Sequence, residues 1–125
     1  MLNFNSILLS TDDPKRLAGF YSKVFEKEPD MNEDGYKGFM VGGCFLTIGF
    51  HGKIHGENPN PERVIFNFET KDVKGEFERI KGLGAKVVAK PYEMKPAWIA
   101  TLMDPDGNYF QLITPWEGGG NNEQQ

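Results

Sequence analysis

The stretch DPDGNYFQL, residues 104–112, joins a tight turn to an apolar strand. Its first five residues are Asp, Pro, Gly and Asn, the types that favour turns most strongly. The apolar residues that follow predict a strand over 109–114. Working back from this turn, the patterns of apolar residues predict the other elements of this half of the chain, namely a strand over 64–70, a helix from Val73 to Gly82, and strands over 86–92 and 98–103.

The first half of the chain repeats this order of elements. A strand is predicted over 4–10, and the turn 11–14 ends in Asp13 and Pro14, a helix cap followed by proline at the first helical position. Apolar residues then recur at spacings of three and four, which predicts a helix to about Glu26. Gly42 and Gly43 separate two further predicted strands, 36–41 and 44–50, as in a two-residue hairpin.

A shift of 59 residues superposes the first strand, the turn and the helix start of the two halves. It places Thr11, Asp13 and Lys15 on Thr70, Asp72 and Lys74. The order strand–helix–strand–strand–strand therefore occurs twice, and the Gly-, Pro- and Asn-rich segment 51–62 is predicted to link the two copies. We predict an α+β fold in one domain, 1–116, with modules 1–50 and 63–116 and a disordered tail over 117–125.

One helix covers only one face of a four-stranded sheet. Two such modules pairing side by side would form a curved sheet around a cleft, and clefts are where small molecules bind.

The order of elements, the Asp13…Phe20-Tyr21 helix and the 104–112 stretch resemble the vicinal oxygen chelate superfamily. This group contains glyoxalase I, bleomycin-resistance proteins and ring-cleaving dioxygenases, and the resemblance covers residues 3–116. It implies paired βαβββ modules around a U-shaped cleft, a homodimer, and in the enzymes one divalent metal that polarises vicinal oxygens of the substrate.

The resemblance also implies where metal ligands would lie. One ligand of each module precedes the helix-opening Asp by seven residues, which gives Ser6 and Ile65; the other lies on the last strand between two apolar residues, which gives Thr47 and Gln111. A divalent ion needs three or four donors, preferably imidazole or carboxylate. Isoleucine has no lone pair, and one neutral amide cannot hold an ion. We therefore expect no metal and no other cofactor.

Because neighbouring strand residues point to opposite sheet faces, the same register predicts the lining of the cleft. The lining includes hydroxyls, amides, apolar groups and one carboxylate, and comprises Ser6, Leu8, Thr47, Ile65, Asn67, Glu69, Trp98, Thr101, Met103, Tyr109 and Gln111.

Trp98 is placed at the rim of the cleft, where an aromatic ring stacks on planar or cationic ligands; burial of that ring is the alternative. Glu69 is the one candidate general base, and a solvated carboxylate is its alternative. His51 and His55 have the spacing of metal ligands, but their glycine-rich surroundings favour a solvated loop.

Composition narrows the classes of function. The 125 residues include 18 acidic and 14 basic ones and no basic cluster, which argues against nucleic-acid binding. No apolar run is long enough to cross a membrane, and we expect no signal peptide. Cys44 is the only cysteine, which favours a reducing, cytoplasmic compartment.

Two kinds of function remain. The first is a metal-free module that binds a small organic molecule, as in the drug-sequestering bleomycin-resistance branch. The second is an enzyme of the glyoxalase I, epimerase or dioxygenase type, metal-dependent or with a changed mechanism. The residues at the ligand positions favour the first.

Overall fold

The computed structural model describes residues 1–115, and these form two compact units, Met1–Glu57 and a second that begins at Asn58. The boundary falls within the segment 51–62. Each unit has one helix and a four-stranded sheet in the order βαβββ, and neither sheet is closed into a barrel. The predicted α+β class and the repeated order of elements are confirmed.

The first unit contains one parallel and two antiparallel strand pairs. Its sheet has the order β1-β4-β3-β2, so the first strand lies parallel to the last. Its elements are β1 (Ser6–Thr11), α1 (Pro14–Phe25), β2 (Met31–Glu33), β3 (Tyr36–Val41) and β4 (Cys44–Phe50).

Helix α1 begins and ends where its sequence directs. The Asp13 carboxylate accepts a hydrogen bond from the Arg16 amide at 3.2 Å, and proline occupies the first turn. The helix ends at Glu26, whose φ of 57° is left-handed. Phe25 packs edge-on against Phe39 of β3, with ring centroids 5.3 Å apart, so Phe39 marks the sheet face that the helix covers.

The second unit repeats this topology with the sheet order β5-β8-β7-β6, in which β5 and β8 are parallel. Its elements are β5 (Phe66–Glu69), α2 (Val73–Lys81), β6 (Lys86–Met94), β7 (Ala97–Met103) and β8 (Tyr109–Ile113). Its core contains Phe77 and Ile80 of α2 and Phe110 and Leu112 of β8, all buried. Burial of such side chains contributes roughly 1.5–3 kcal/mol each to stability.

The turn between β7 and β8 is held by a buried carboxylate. Oδ1 of Asp104 accepts hydrogen bonds from the backbone amides of Asp106 and Asn108 at 2.9 and 3.0 Å, and Oδ2 accepts one from the Asn108 side chain at 3.0 Å. Gly107 adopts a φ of 82°, which favours glycine. The turn residues predicted from the sequence therefore fix the point at which β8 begins.

One strand is not predicted, and several strand bounds differ from the predictions, among them the start of β5 at Phe66 rather than residue 64. Strand β2 is not predicted, because its three residues pair only with β3 and show no apolar alternation. Strand β1 begins at Ser6 rather than residue 4, and β6 continues to Met94. The predicted disordered tail, 117–125, lies outside the described residues, as does Trp116. Neither helix within residues 1–115 is long and apolar enough to cross a membrane.

Candidate functional site

We call the sheet surface opposite the helix of each unit its open face. In the first unit, Phe39 contacts Phe25 of the helix, and Phe39 pairs with Leu46, which in turn pairs with Ile7. This row of three residues therefore faces the helix. The next row is Leu8, Thr47 and Gly38, and strand alternation turns it to the open face. Ser6 lies two positions before Leu8 on β1, so it points to the same face, and it is exposed. The three predicted residues of this unit thus share one face.

On the open face of the second unit, three polar side chains lie side by side. Asn67 pairs with Gln111, and Gln111 pairs with Thr101, so the row crosses β5, β8 and β7. Nε2 of Gln111 donates a hydrogen bond to Oγ1 of Thr101 over 3.1 Å. Asn67 is exposed and Thr101 is buried. We call these three residues the amide row; their strands hold hydroxyl and amide groups in fixed positions.

The rows on either side of the amide row contain the remaining predicted positions. Met103 pairs with Tyr109 on one side, and Glu69 pairs with Ile113 on the other. Ile65 directly precedes β5. Glu69 is exposed, so its carboxylate is in water. Its role as a general base stays a prediction.

Trp98 requires a correction. Strand alternation puts it with Ala100 and Leu102 rather than with Thr101, and Nζ of Lys74 on α2 lies 4.0 Å from the centroid of its ring. Trp98 therefore faces the helix side of its sheet. The prediction that it marks the rim of a cleft was wrong, because Trp98 lies three positions before Thr101 and an odd difference in position on a regular strand reverses the face.

The four positions that the resemblance predicts for metal ligands hold side chains that do not suit a divalent ion. In the first unit Thr47 pairs with Leu8, whereas Ser6 pairs with Phe45. In the second unit the Gln111 amide already donates to Thr101, and Ile65 has no donor atom. Neutral hydroxyls and one amide cannot replace the ion's hydration shell.

The remaining residue types that commonly bind metals are dispersed over the described part of the chain. Residues 1–115 contain no grouping of three or more His, Cys, Asp and Glu side chains that would hold a metal. Nδ1 of His51 accepts a hydrogen bond from the backbone amide of Lys53 at 3.1 Å, and His51 and His55 both lie on an exposed segment without helix or strand.

Three further side chains on the open face of the first unit are absent from the predicted lining. They are Tyr36, Met40 and Phe45, which belong to the same alternation as Thr47. Tyr36 lies over Gly49, and Phe45 lies over Gly38. Alternation along β4 from Thr47 is enough to put Phe45 on the open face. Tyr36 and Met40 can be assigned to that face only from the pairing of β3 with β4.

A separate groove of about 800 Å³ lies on the helix side of the first unit. Ala18 and Gly19 of α1, Lys37 of β3 and Phe50 at the end of β4 line it, together with two lysines of α1 and acidic residues of the adjoining loops. This groove is distinct from the open face. Phe50 follows the buried residues Leu46 and Ile48 at even spacing on β4, so it points to the helix side with them.

Two successive βαβββ units with parallel first and last strands define the class of fold. Comparison with family models gives the Glyoxalase-like domain, which matches residues 6–113. The chain belongs to this glyoxalase-like family, within the vicinal oxygen chelate superfamily. No match was found among curated proteins.

Solved structures of low sequence identity share the fold. A glyoxalase/bleomycin resistance protein/dioxygenase from Nocardioides is 17% identical, with a TM-score of 0.76, and the match covers 100% of this chain and 90% of that one. A family enzyme from Burkholderia phytofirmans PsJN is 20% identical, with a TM-score of 0.74 and coverage of 90% and 98%. A glyoxalase-related enzyme from Fulvimarina pelagi is 16% identical, with a TM-score of 0.77 and coverage of 96% of both chains. At these identities the likeness concerns the fold alone.

Proposed function

We propose that this chain binds a small organic molecule on the open faces of its sheets and does so without a resident metal ion. The observation that carries the proposal is the amide row of the second unit, Asn67, Gln111 and Thr101 on three adjacent strands. Amide and hydroxyl groups fixed on strands orient a ligand by hydrogen bonds.

The chemistry at the superfamily's ligand positions supports binding without a metal. Ser6, Thr47, Ile65 and Gln111 provide two hydroxyls, one amide and one hydrocarbon. None of these is a charged donor, so an ion placed there would lose its hydration without compensation. A bound organic molecule loses far less on desolvation and gains from apolar contact.

The first test concerns metal. Elemental analysis of the purified chain, followed by calorimetric titration with Zn²⁺, Ni²⁺ and Mn²⁺, should detect no site at one ion per chain. One tightly bound ion per chain, lost in a Gln111→Leu variant, would contradict the metal-free proposal and favour a metal-dependent enzyme of the family.

The second test concerns the ligand. Native mass spectrometry of the freshly purified chain, and a thermal-shift screen of small metabolites and drugs, should reveal a molecule that raises the unfolding midpoint. Gln111→Leu and Asn67→Leu should reduce that rise, because they remove hydrogen-bonding groups of the amide row. Glu78→Ala, an exposed change on α2, is the matched control and should leave the rise unchanged.

Two outcomes would count against the proposal. Equal loss in the control variant would mean that the response reports stability rather than a site. Chemical conversion of the ligand during incubation would favour the enzyme alternative, and Glu69→Gln would then test the one candidate base.

A further inference from the structure

The open face of the first unit has a different character from the amide row. Four large side chains cover it: Leu8, Tyr36, Met40 and Phe45. Leu8 is 63% exposed, Tyr36 46% and Met40 50%. We call these four residues the aromatic platform. Large apolar side chains exposed together commonly mark a binding surface.

Two glycines allow the aromatic rings to lie against the sheet. A Cβ atom at Gly49 would lie 2.7 Å from Cε1 of Tyr36, and one at Gly38 would lie 2.5 Å from Cζ of Phe45. No side chain fits between these rings and the backbone. Tyr36 therefore rests directly on Gly49, and the part of its ring turned away from the sheet contributes to its exposure.

The charge on this face has one sign. Glu33 pairs with Tyr36 across β2 and β3, and both have the parity of the open face. Within residues 1–115 the Glu33 carboxylate takes part in no ion pair or hydrogen bond. Lys37, the nearest lysine on these strands, pairs with Ile48 on the helix side, and its ammonium donates to the Glu33 backbone carbonyl at 3.0 Å. The platform thus combines an aromatic face with a carboxylate. At its Met40 edge the Lys27 ammonium donates to the Met40 carbonyl at 3.1 Å, and that ammonium is paired with Asp30 at 2.7 Å.

We propose that Tyr36 and Glu33 form a stacking site for a planar aromatic cation on the aromatic platform. The inference rests on the proposed function and names the class of ligand. A cation is attracted to the face of an aromatic ring, and a neighbouring carboxylate adds to that attraction. Leu8, Met40 and Phe45 supply apolar contact for the rest of a flat ring system, whereas an anion would be repelled by Glu33.

The probe for this site is 10-methylacridinium, a permanently charged planar cation whose fluorescence reports binding. Titration into the full chain should give saturable binding. Tyr36→Leu, which keeps apolar bulk but removes the ring, should weaken binding about threefold to tenfold, and Glu33→Gln about threefold. Tyr36→Phe should retain the affinity, because it keeps the ring. The anion 9-anthracenecarboxylate has a similar flat shape and should bind at least tenfold more weakly.

The matched control is Phe50→Leu. Phe50 is also an exposed aromatic residue of this sheet, but it lines the groove on the helix side. Its replacement should leave the affinity for the probe unchanged. Equal affinities of Tyr36→Leu and the unaltered chain, an equal loss in Phe50→Leu, or equal binding of the anion would each overturn the inference.

The same titration separates the two proposals. If a ligand from the thermal-shift screen depends on Gln111 while 10-methylacridinium binds Tyr36→Leu and the unaltered chain equally, the proposed function stands and the stacking site is refuted. If no ligand depends on either residue, both proposals fail.

Discussion

The side-chain amide of Asn58 donates a hydrogen bond to Oδ1 of Asn108 over 3.0 Å. The backbone amide of Asn58 also donates to the Asp106 carbonyl at 2.8 Å, and Oδ1 of Asn58 accepts from the Asn60 amide at 2.9 Å. The first residue of the second unit is therefore attached to the turn that precedes β8. The segment 51–62 has few apolar residues, so these bonds are what fix its end.

Replacement of Asn58 should loosen this attachment. Asn58→Ala removes both side-chain hydrogen bonds and leaves Asn108 without that donor, so we expect the free energy of unfolding to fall by about 1–2 kcal/mol. Urea titration followed by circular dichroism measures it. Asn60→Ala is the control and should change the value by less than about 0.5 kcal/mol. Equal effects of the two variants would refute the role of the Asn58 side chain.

The two helices offer glycines that should respond in opposite directions to alanine. Gly19 of α1 has open space where a Cβ would lie, so Gly19→Ala should stabilise the protein by about 0.5–1 kcal/mol. At Gly75 of α2 the new Cβ would collide with the Asp72 carboxylate, which accepts the Gly75 amide at 2.9 Å and caps the helix.

Gly75→Ala should therefore cost about 1 kcal/mol through loss of the cap, instead of adding helical stability. Thermal unfolding of both variants measures the contrast. A rise of the midpoint in Gly75→Ala comparable to that in Gly19→Ala would show that the cap rearranges without cost.

The end of α1 should be improved by glycine. Glu26 adopts a left-handed conformation that costs a residue with a side chain roughly 1 kcal/mol. Glu26→Gly should stabilise the protein by about that amount, measured by urea titration. Glu28→Gly, a nearby change outside the left-handed region, should not stabilise it. A loss of stability in Glu26→Gly would mean that contacts of the glutamate side chain outweigh the relief of strain.

Asp30 should make stability depend on pH. The side-chain hydrogen bond from Lys27, at 2.7 Å, and the bond from the Met40 backbone amide, also at 2.7 Å, hold the pKa of Asp30 below its ordinary value. A carboxyl group whose pKa is lower in the folded state stabilises the protein above the unfolded pKa, and this contribution is lost as the pH falls through the folded pKa.

Asp30→Asn should therefore be less stable than the unaltered chain near pH 6, and the difference should narrow below about pH 4. Urea titrations across this range give the comparison. Asp34→Asn, an exposed change in the turn between β2 and β3, should leave stability at pH 6 within about 0.5 kcal/mol. A difference for Asp30→Asn that is constant from pH 6 to pH 3 would contradict the effect.

Much of the fold follows from local sequence, because caps, turn residues and periodicity act over a few residues. Asp13 and Asp72 mark the helix starts, and the 104–108 turn marks the start of β8. Alternation on single strands also places Thr47 and Gln111 on the faces described above. Strand β2 carries no such pattern, since it depends on pairing with β3.

The candidate site is less predictable where it depends on contacts between elements. Trp98 contacts Lys74 of α2, a relationship that no local pattern contains. The position of Tyr36 over Gly49 follows only from the pairing of β3 with β4. A glycine in one strand and an aromatic residue in the next have no periodicity in common, so their juxtaposition needs the three-dimensional structure.

The parallel pairing of β1 with β4 affects how the first unit is made. As the protein is synthesised, β1 leaves the ribosome some forty residues ahead of the strand to which it hydrogen-bonds. A nascent chain that stops before Cys44 thus has a first strand with no hydrogen-bonded neighbour within the first unit. We expect the unit to gain protection against proteases only once β4 has emerged, in a single step rather than gradually.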